Sequence, residues 1–402
     1  MNKSYVILGN GIAAFSAAQA IRSCDLDSRV TMISQEKELP YTRPLLSKTW
    51  FRTLKRDGMF IREEAWYDEN RIERIQGKNI EYADLENHMA VLQDGQKLHY
   101  DKGIYALGAS CFMPPFTGRD KAGVFMVRTI SDFNKIRSRL ALAEKAVVIG
   151  GGVIGLEMAW EIRQTGCGVT ILEAGPRLMG RLLDAESAQV LTEKIQNAGI
   201  PAYSGVQISE LTGEYEVDGV SLADGRWFPA QLVIVSCGVR ANTAVALNSK
   251  LECDRGVLVD DYLRTSSPDW LAAGDCIQWK QPNPGLWNYA ARSGEIAGWN
   301  LVHGEDRCFV PASEPVILSA MGTSLFSIGN ISEDGDVRTE TRQGTKTGKR
   351  KMFRVNGHEG DAEYYEKRFY RDGALCGAVL MGNLELMMEI RNELNKQKRE
   401  EA

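Results

Sequence analysis

Hydrophobic positions along this chain fall twice into the same arrangement: a short unbroken apolar run, a glycine cluster, then a stretch of small residues. The first instance is residues 5–8 (YVIL), followed by Gly9-Asn10-Gly11 and an alanine-rich segment over 12–21. Such a run predicts a buried parallel strand, and the segment after it a helix. Residues 29–34 (RVTMIS) predict the next strand. The second instance is residues 146–149, then Gly150-Gly151-Gly152-Val153-Ile154-Gly155, a helix over 156–165, and a strand over 168–172 closed by Glu173.

Each instance is followed by shorter alternating runs. Residues 77–109 predict a meander, with a hairpin turn at Asp94-Gly95 and a return strand over 103–107 ending in ALGAS around Gly108. Residues 187–197 predict a helix. A hairpin follows at Asp224-Gly225, and residues 232–238 (LVIVSCG) return the chain at Gly238. Between the two instances, the Pro114-Pro115 loop marks a crossover, and residues 124–132 lead into a helix over 133–143. After residue 311 the pattern changes. Strands over 316–319, 325–328, 364–371 and 374–381 surround a polar stretch, 329–360, and a helix over 384–398 ends the chain.

Strand, glycine turn and helix in this order open a dinucleotide-binding unit. Gly9 permits the tight turn, Gly11 lets a pyrophosphate approach the backbone, and Ala14 lets helix and strand pack closely. Gly150, Gly152 and Gly155 form the complete GxGxxG version. The N–H groups that open each helix face the phosphates. Glu173 stands where an acid accepts hydrogen bonds from the ribose hydroxyls. It repels a 2′-phosphate by an upper-range value of roughly 4 kcal/mol at 4 Å and intermediate dielectric, which favours NADH over NADPH; Arg177 nearby softens that preference. In the first unit Ser34 occupies the strand end, so Glu36 just beyond is the candidate ribose ligand. The loop LPYTRPLLSK, stiffened by Pro40 and Pro44, carries Arg43 for a phosphate and Lys48 for a ring or its charged partner. Gly274-Asp275 in LAAGDC offers a carboxylate to a sugar-alcohol chain. A helix over 288–302 follows, and Trp287 and Tyr289 stand at its start as stacking or core residues.

Composition narrows the class. The 402 residues are 44% hydrophobic and 25% charged with a net charge of -5, which fits a globular chain of two to three domains and gives no reason to expect nucleic acid or a membrane surface. Four histidines argue against a histidine-rich metal site. The eight cysteines (24, 111, 167, 237, 253, 276, 308 and 376) form no CxxC pair, so they read as reduced, mostly buried thiols of a cytoplasmic protein. No segment reads as a membrane span or a leader; residues 5–21 carry the glycine turn instead. Lys349, Arg350, Lys351, Arg354, Lys367, Arg368 and Arg371 make a basic cluster, read as a solvated face or as a docking patch for an acidic partner.

The series GNGIAA, LPYTRPLLSK, ALGAS, GGGVIGLE, LAAGDC and NPGLWNYAARSGEIAGWN resembles the FAD/NAD flavoprotein reductases with two dinucleotide domains, most closely the NADH:rubredoxin oxidoreductases and the reductase part of nitrite reductases. The resemblance covers about residues 1–308. It implies an α/β fold with two Rossmann-like domains, one for FAD (1–110 and 238–308) and one for NAD (111–237), plus a small α+β C-terminal domain (309–402). It implies FAD held by Gly9, Gly11, Ala14, Arg43, Lys48 and Asp275, and NADH by Gly150, Gly152, Gly155 and Glu173. It also implies that Lys48 and Glu157 lie near the flavin; Glu157 otherwise reads as an acid that satisfies a helix N-terminus. The expected activity is transfer of electrons from NADH through FAD to a small acidic carrier such as rubredoxin, by a monomer or homodimer. The alternatives are an NADH oxidase or disulfide or peroxide reductase of the same fold, and a non-catalytic NADH-sensing flavoprotein. Residues 36–53 hold no cysteine, which disfavours cysteine redox chemistry.

Overall fold

A computed structural model describes residues 2–48, 58–345 and 363–401. The chain divides into two compact units. The first is Met1–Leu45, Leu54–Ser110 and Val239–Pro311; the second is Leu46–Thr53, Cys111–Gly238 and Ala312–Ala402.

The first unit is built on a five-stranded parallel sheet in the order Trp270–Ala272, Lys102–Tyr105, Ser4–Leu8, Arg29–Ser34, Ile72–Gln76. Residues 5–8 are fully enclosed because helices or loops cover both faces of a parallel sheet. The helix Ile12–Cys24 starts where Gly11 leaves the extended conformation. It runs to Cys24, beyond the predicted end, because Ala17, Ala18, Ala20 and Ile21 continue the apolar face. Its small residues let the helix Trp287–His303 come very near. A Cβ on Gly294 would lie 2.2 Å from the Ala13 carbonyl oxygen, and one on Gly298 would lie 2.4 Å from that of Ala17. The predicted meander is a three-stranded antiparallel sheet of Ile80–Asp84, Met89–Leu92 and Lys97–His99.

The second unit repeats this plan. Its parallel sheet runs Ala202–Ser204, Gly168–Glu173, Lys145–Ile149, Leu232–Val235, Val124–Phe125. Its meander is Ile208–Thr212, Gly219–Leu222 and Trp227–Pro229. The crossover helix is Ile130–Leu140, three residues earlier than its expected start. Thr129 and Asp132 form a reciprocal capping box that fixes the N-terminus there. A five-stranded antiparallel sheet ends the unit, in the order Val316–Ala320, Thr323–Gly329, Ala374–Met381, Glu363–Arg371, Val337–Thr345. The helix Met387–Glu401 packs on it through Ile390 and Leu394. The strand Val337–Thr345 lies inside the stretch read only as polar. All eight cysteines are free, but only Cys167 and Cys276 are fully buried, five are half-buried and Cys308 is exposed, which corrects the expectation of mostly buried thiols.

Candidate nucleotide sites

In the first unit the turn after Ser4–Leu8 is held from both sides: Gly9 N–H donates to Ile33 O, and Ala106 N–H donates to Leu8 O. Gly9 has φ +125°, and a Cβ there would sit 2.2 Å from Ala106 O. Only glycine meets both demands. Gly11 is different. A Cβ there meets nothing within 4 Å, so the missing side chain leaves open space over the helix N-terminus. Ala14 is fully buried. Gly108 (φ +64°) turns the return strand, and Gly274 (φ +86°) donates its N–H to Ser293 Oγ at 2.9 Å before the chain reaches Asp275.

Around the loop, Tyr41 hydroxyl donates to Glu36 Oε2 at 2.8 Å, Arg43 donates to the Tyr41 oxygen at 2.9 Å, and Arg43 also pairs with Glu36 Oε1. Burial works against the Arg43 charge, but Tyr41, Glu36 and Asp275 outweigh it and raise its pKa. Glu36 is thus joined to Arg43. Tyr289 belongs to the core, ring to ring with Phe309 at 5.0 Å, whereas Trp287 is half-buried at the first position of its helix.

In the second unit the same geometry recurs. Gly150 has φ +110°, and a Cβ there would lie 2.3 Å from Ser236 O. Gly152 faces open space, and a Cβ on Gly155 would lie 2.0 Å from Gly150 O. The helix Val153–Gln164 follows. Gly238 (φ +92°) ends the return strand region and accepts from Phe112 N–H. Glu173 is fixed by two backbone donors, Gly151 N–H and Gly175 N–H, each at 2.6 Å. Arg177 turns away to the carbonyls of Leu183 and Gly180. In both units the cradle therefore fits a dinucleotide: space where the pyrophosphate needs it, and tight packing where the turn needs it.

Glu157 lies one turn into the second nucleotide helix and is only 3% exposed. Ser47 Oγ donates to its Oε2, and Lys48 Nζ stands 3.5 Å from its Oε1. Burial pushes the carboxyl up to about 7, with Lys48 and then Ser47 drawing it down. It is therefore a buried acid tuned near neutrality, not a solvated acid at a helix end. Ser47 is the site residue that sequence reasoning missed; it is separated from Glu157 by 110 positions.

The basic cluster is corrected in part. Lys349, Arg350, Lys351 and Arg354 lie outside the described residues. Lys367 is buried, bonded to Asp184 at 2.6 Å and to Glu186 and Glu333 at 2.8 Å. Arg368 pairs with Glu366 and Glu389. These two form internal ties: Asp184, Glu186, Glu333 and Glu389 reach their strand from other segments, and Glu366 stands two residues before Arg368 on the same strand. Among the thiols, burial pushes Cys237 up to about 11 and Cys276 to about 12, so neither is a thiolate at neutral pH. Among the described residues no group of acids, histidines and cysteines is placed to hold a metal ion, and no helix is long and apolar enough to cross a membrane.

Residues 3–294 match the family model of the pyridine nucleotide-disulphide oxidoreductases, and residues 315–398 match the rubredoxin NAD+ reductase C-terminal domain. The chain is 32% identical over 330 residues to an NADH-rubredoxin oxidoreductase of Clostridium acetobutylicum, covering 82% of each chain. It is 28% identical to a nitrite reductase [NAD(P)H] of Bacillus subtilis, covering 95% of this chain but only 46% of that protein. A ferredoxin reductase from Rhodopseudomonas palustris superposes with a TM-score of 0.83 at 26% identity, over 95% of this chain and 91% of that one.

Proposed function

Since the chain belongs to the pyridine nucleotide-disulphide oxidoreductase family, we propose that it passes electrons from NADH through FAD to a small redox carrier of the rubredoxin or ferredoxin kind. One observation carries this reading: two complete nucleotide cradles of matching geometry in a single chain, one per unit. The family model of the C-terminal domain and the rubredoxin-reducing relative support the carrier.

The first cradle takes FAD: Gly11 admits the pyrophosphate, Arg43 opposes its charge, and Asp275 accepts from its sugar-alcohol chain. The second takes NADH: Gly152 admits the pyrophosphate, and Glu173 accepts from the ribose hydroxyls. Lys48 and Glu157 supply a fixed positive charge and an exchangeable proton. Bound flavin supplies the conversion between a two-electron hydride donor and one-electron acceptors; the chain binds, orients and excludes water. The acidic character of the carrier and a monomeric or homodimeric state belong to the same proposal.

An anaerobic stopped-flow experiment tests it. The purified yellow protein is mixed with NADH or NADPH, and then with oxidised rubredoxin or oxygen. The expected result is rapid bleaching by NADH, slower bleaching by NADPH, fast reoxidation by rubredoxin and slow reoxidation by oxygen. Fast reoxidation by oxygen alone makes the protein an oxidase. A purified protein without flavin defeats the proposal outright.

A further inference from the structure

Glu157 touches two groups of the segment that precedes residue 49, and they act differently. Lys48 Nζ is 3.5 Å from Oε1, beyond the usual range of an N–H···O hydrogen bond, so its influence is mainly that of a charge. Ser47 is buried and donates a hydrogen bond directly to Oε2. Oε1 accepts no hydrogen bond from any described residue. The carboxyl is therefore oriented from one side, by a hydroxyl.

We propose that Ser47 is a positioning residue whose hydroxyl fixes the Glu157 carboxyl and sets the balance between its protonated and ionised forms. A hydroxyl donates more strongly to a carboxylate than to a carboxylic acid, so its bond favours the ionised form. The remaining surroundings pull in both directions. Lys48 favours ionisation, and Glu161 one helical turn further on opposes it. Of the strands packed against this helix, Val316–Ala320 carries no ionisable side chain. Gly168–Glu173 presents Glu173 at its C-terminal end, already bonded to Gly151 and Gly175, and Lys145–Ile149 has Lys145 at its far end. Removal of the Ser47 hydroxyl leaves these opposing charges in place and burial unopposed by that bond. The consequence for turnover, a pH step in reduction by NADH, rests on the reductase reading given above; the protonation itself does not.

Infrared titration of the full-length holoprotein reads Glu157 directly, as the protonated-carboxyl band absent from Glu157→Gln. The wild-type band should disappear around neutral pH. In Ser47→Ala the midpoint should rise by about one pH unit, a tenfold change in ionisation constant. Ser47→Thr should restore it, and Ser47→Cys, a weaker donor of similar size, should move it part of the way. The pH profile of bleaching by NADH should follow the same order. An unmoved midpoint in Ser47→Ala overturns the proposal, since Lys48 and burial would then suffice. A shift that Ser47→Thr fails to reverse also overturns it, because a general disturbance would be the cause. If the protein holds no flavin or is not reduced by NADH, the reductase reading falls while the band still titrates and still decides the role of Ser47.

Discussion

The two nucleotide cradles share a backbone and differ in their side chains. In both, the first glycine donates to the neighbouring strand at 2.8 Å, and a Cβ would collide with the return strand at 2.2 or 2.3 Å. In both, the helix is capped by a glycine in an extended conformation with open space above it. The acid beyond the second strand is handled in opposite ways. Glu36 is committed to Arg43 and Tyr41, a charged neighbour and its brace. Glu173 is held by two backbone amides, those of Gly151 and Gly175. The supporting layers differ as well. The first helix lies against another helix through glycines, whereas the C-terminal sheet meets the second unit's helix Ala185–Asn197 through Lys367. A repeated frame thus makes a repeated turn, and side chains from elsewhere in the chain decide what each turn is for.

The comparison is most strongly tested at the glycines. Gly9→Ala and Gly150→Ala each combine a positive φ with a backbone collision, and each should destabilise its unit by roughly 3 kcal/mol or more. Gly11→Ala and Gly152→Ala meet no atom, so urea unfolding should change little. Gly11→Ala should instead lose flavin. Gly152→Ala should keep flavin and raise the KM for NADH by about tenfold or more, the loss of 1.4 kcal/mol in binding. Equal unfolding midpoints for Gly9→Ala and Gly11→Ala would mean that the two positions are not distinguished as the geometry requires.

Next in size is the charged tie of the second unit. Lys367→Met strands the Asp184 carboxylate, itself 3% exposed, without its cation. The expected cost is about 3 kcal/mol in urea unfolding. Asp184→Asn combined with Lys367→Met should recover part of that, because an unpaired charge costs more than a lost pair. Glu186 and Glu333 are half-exposed and can turn to water.

Glu157 adds a pH dependence with no counterpart at the matching position of the first helix, which is Ser16. Burial holds the folded carboxyl at about 7 against an ordinary value of 4.5. Between those values the folded state binds more protons than the unfolded one, so this group's contribution to stability falls as pH rises through that window. Glu157→Gln should therefore gain stability relative to wild type between about pH 5 and about pH 8, by urea unfolding at both ends. A constant difference would remove Glu157 as a buried titrating group.

How much of this was legible follows from which residues act locally. Runs such as 5–8 and 146–149 and the glycines after them state strand, turn and helix within a few positions, so both cradles could be read. The helix start at Ile130 needed the Thr129–Asp132 capping box, a polar signal that apolar periodicity passes over. Ser47, Lys367 and the Glu36–Arg43 pair were not legible as partners. Ser47 is defined by a carboxyl 110 positions away and Lys367 by one 183 positions away, and a serine or lysine in a loop or strand gives no local sign of either. The strand Val337–Thr345 was hidden because among the described strands it is an edge, hydrogen-bonded to Glu363–Arg371, and its sequence VRTETRQGT needs no apolar face.

The smallest effects distinguish the two acids. Glu173→Ala should raise the KM for NADH about tenfold, narrow the preference over NADPH and leave flavin content unchanged. If NADH kinetics stay constant, Glu173 serves only the turn formed by Gly151 and Gly175. Tyr41→Phe probes the other cradle more gently. Tyr41 is 1% exposed and its ring stays in place, so only the hydroxyl that joins Glu36 to Arg43 is removed. One such bond is worth about 1 kcal/mol. The holoprotein should therefore release flavin on dilution severalfold more readily, read as free-flavin fluorescence, with NADH kinetics of the flavin-loaded fraction unaltered. The reason is geometric: Arg43 keeps its ion pair with Glu36 but loses an anchor that helps fix the plane of its guanidinium, and a bidentate donor is useful to a phosphate only when its plane is fixed. Flavin retention equal to wild type would show that the Tyr41 hydroxyl does not orient Arg43.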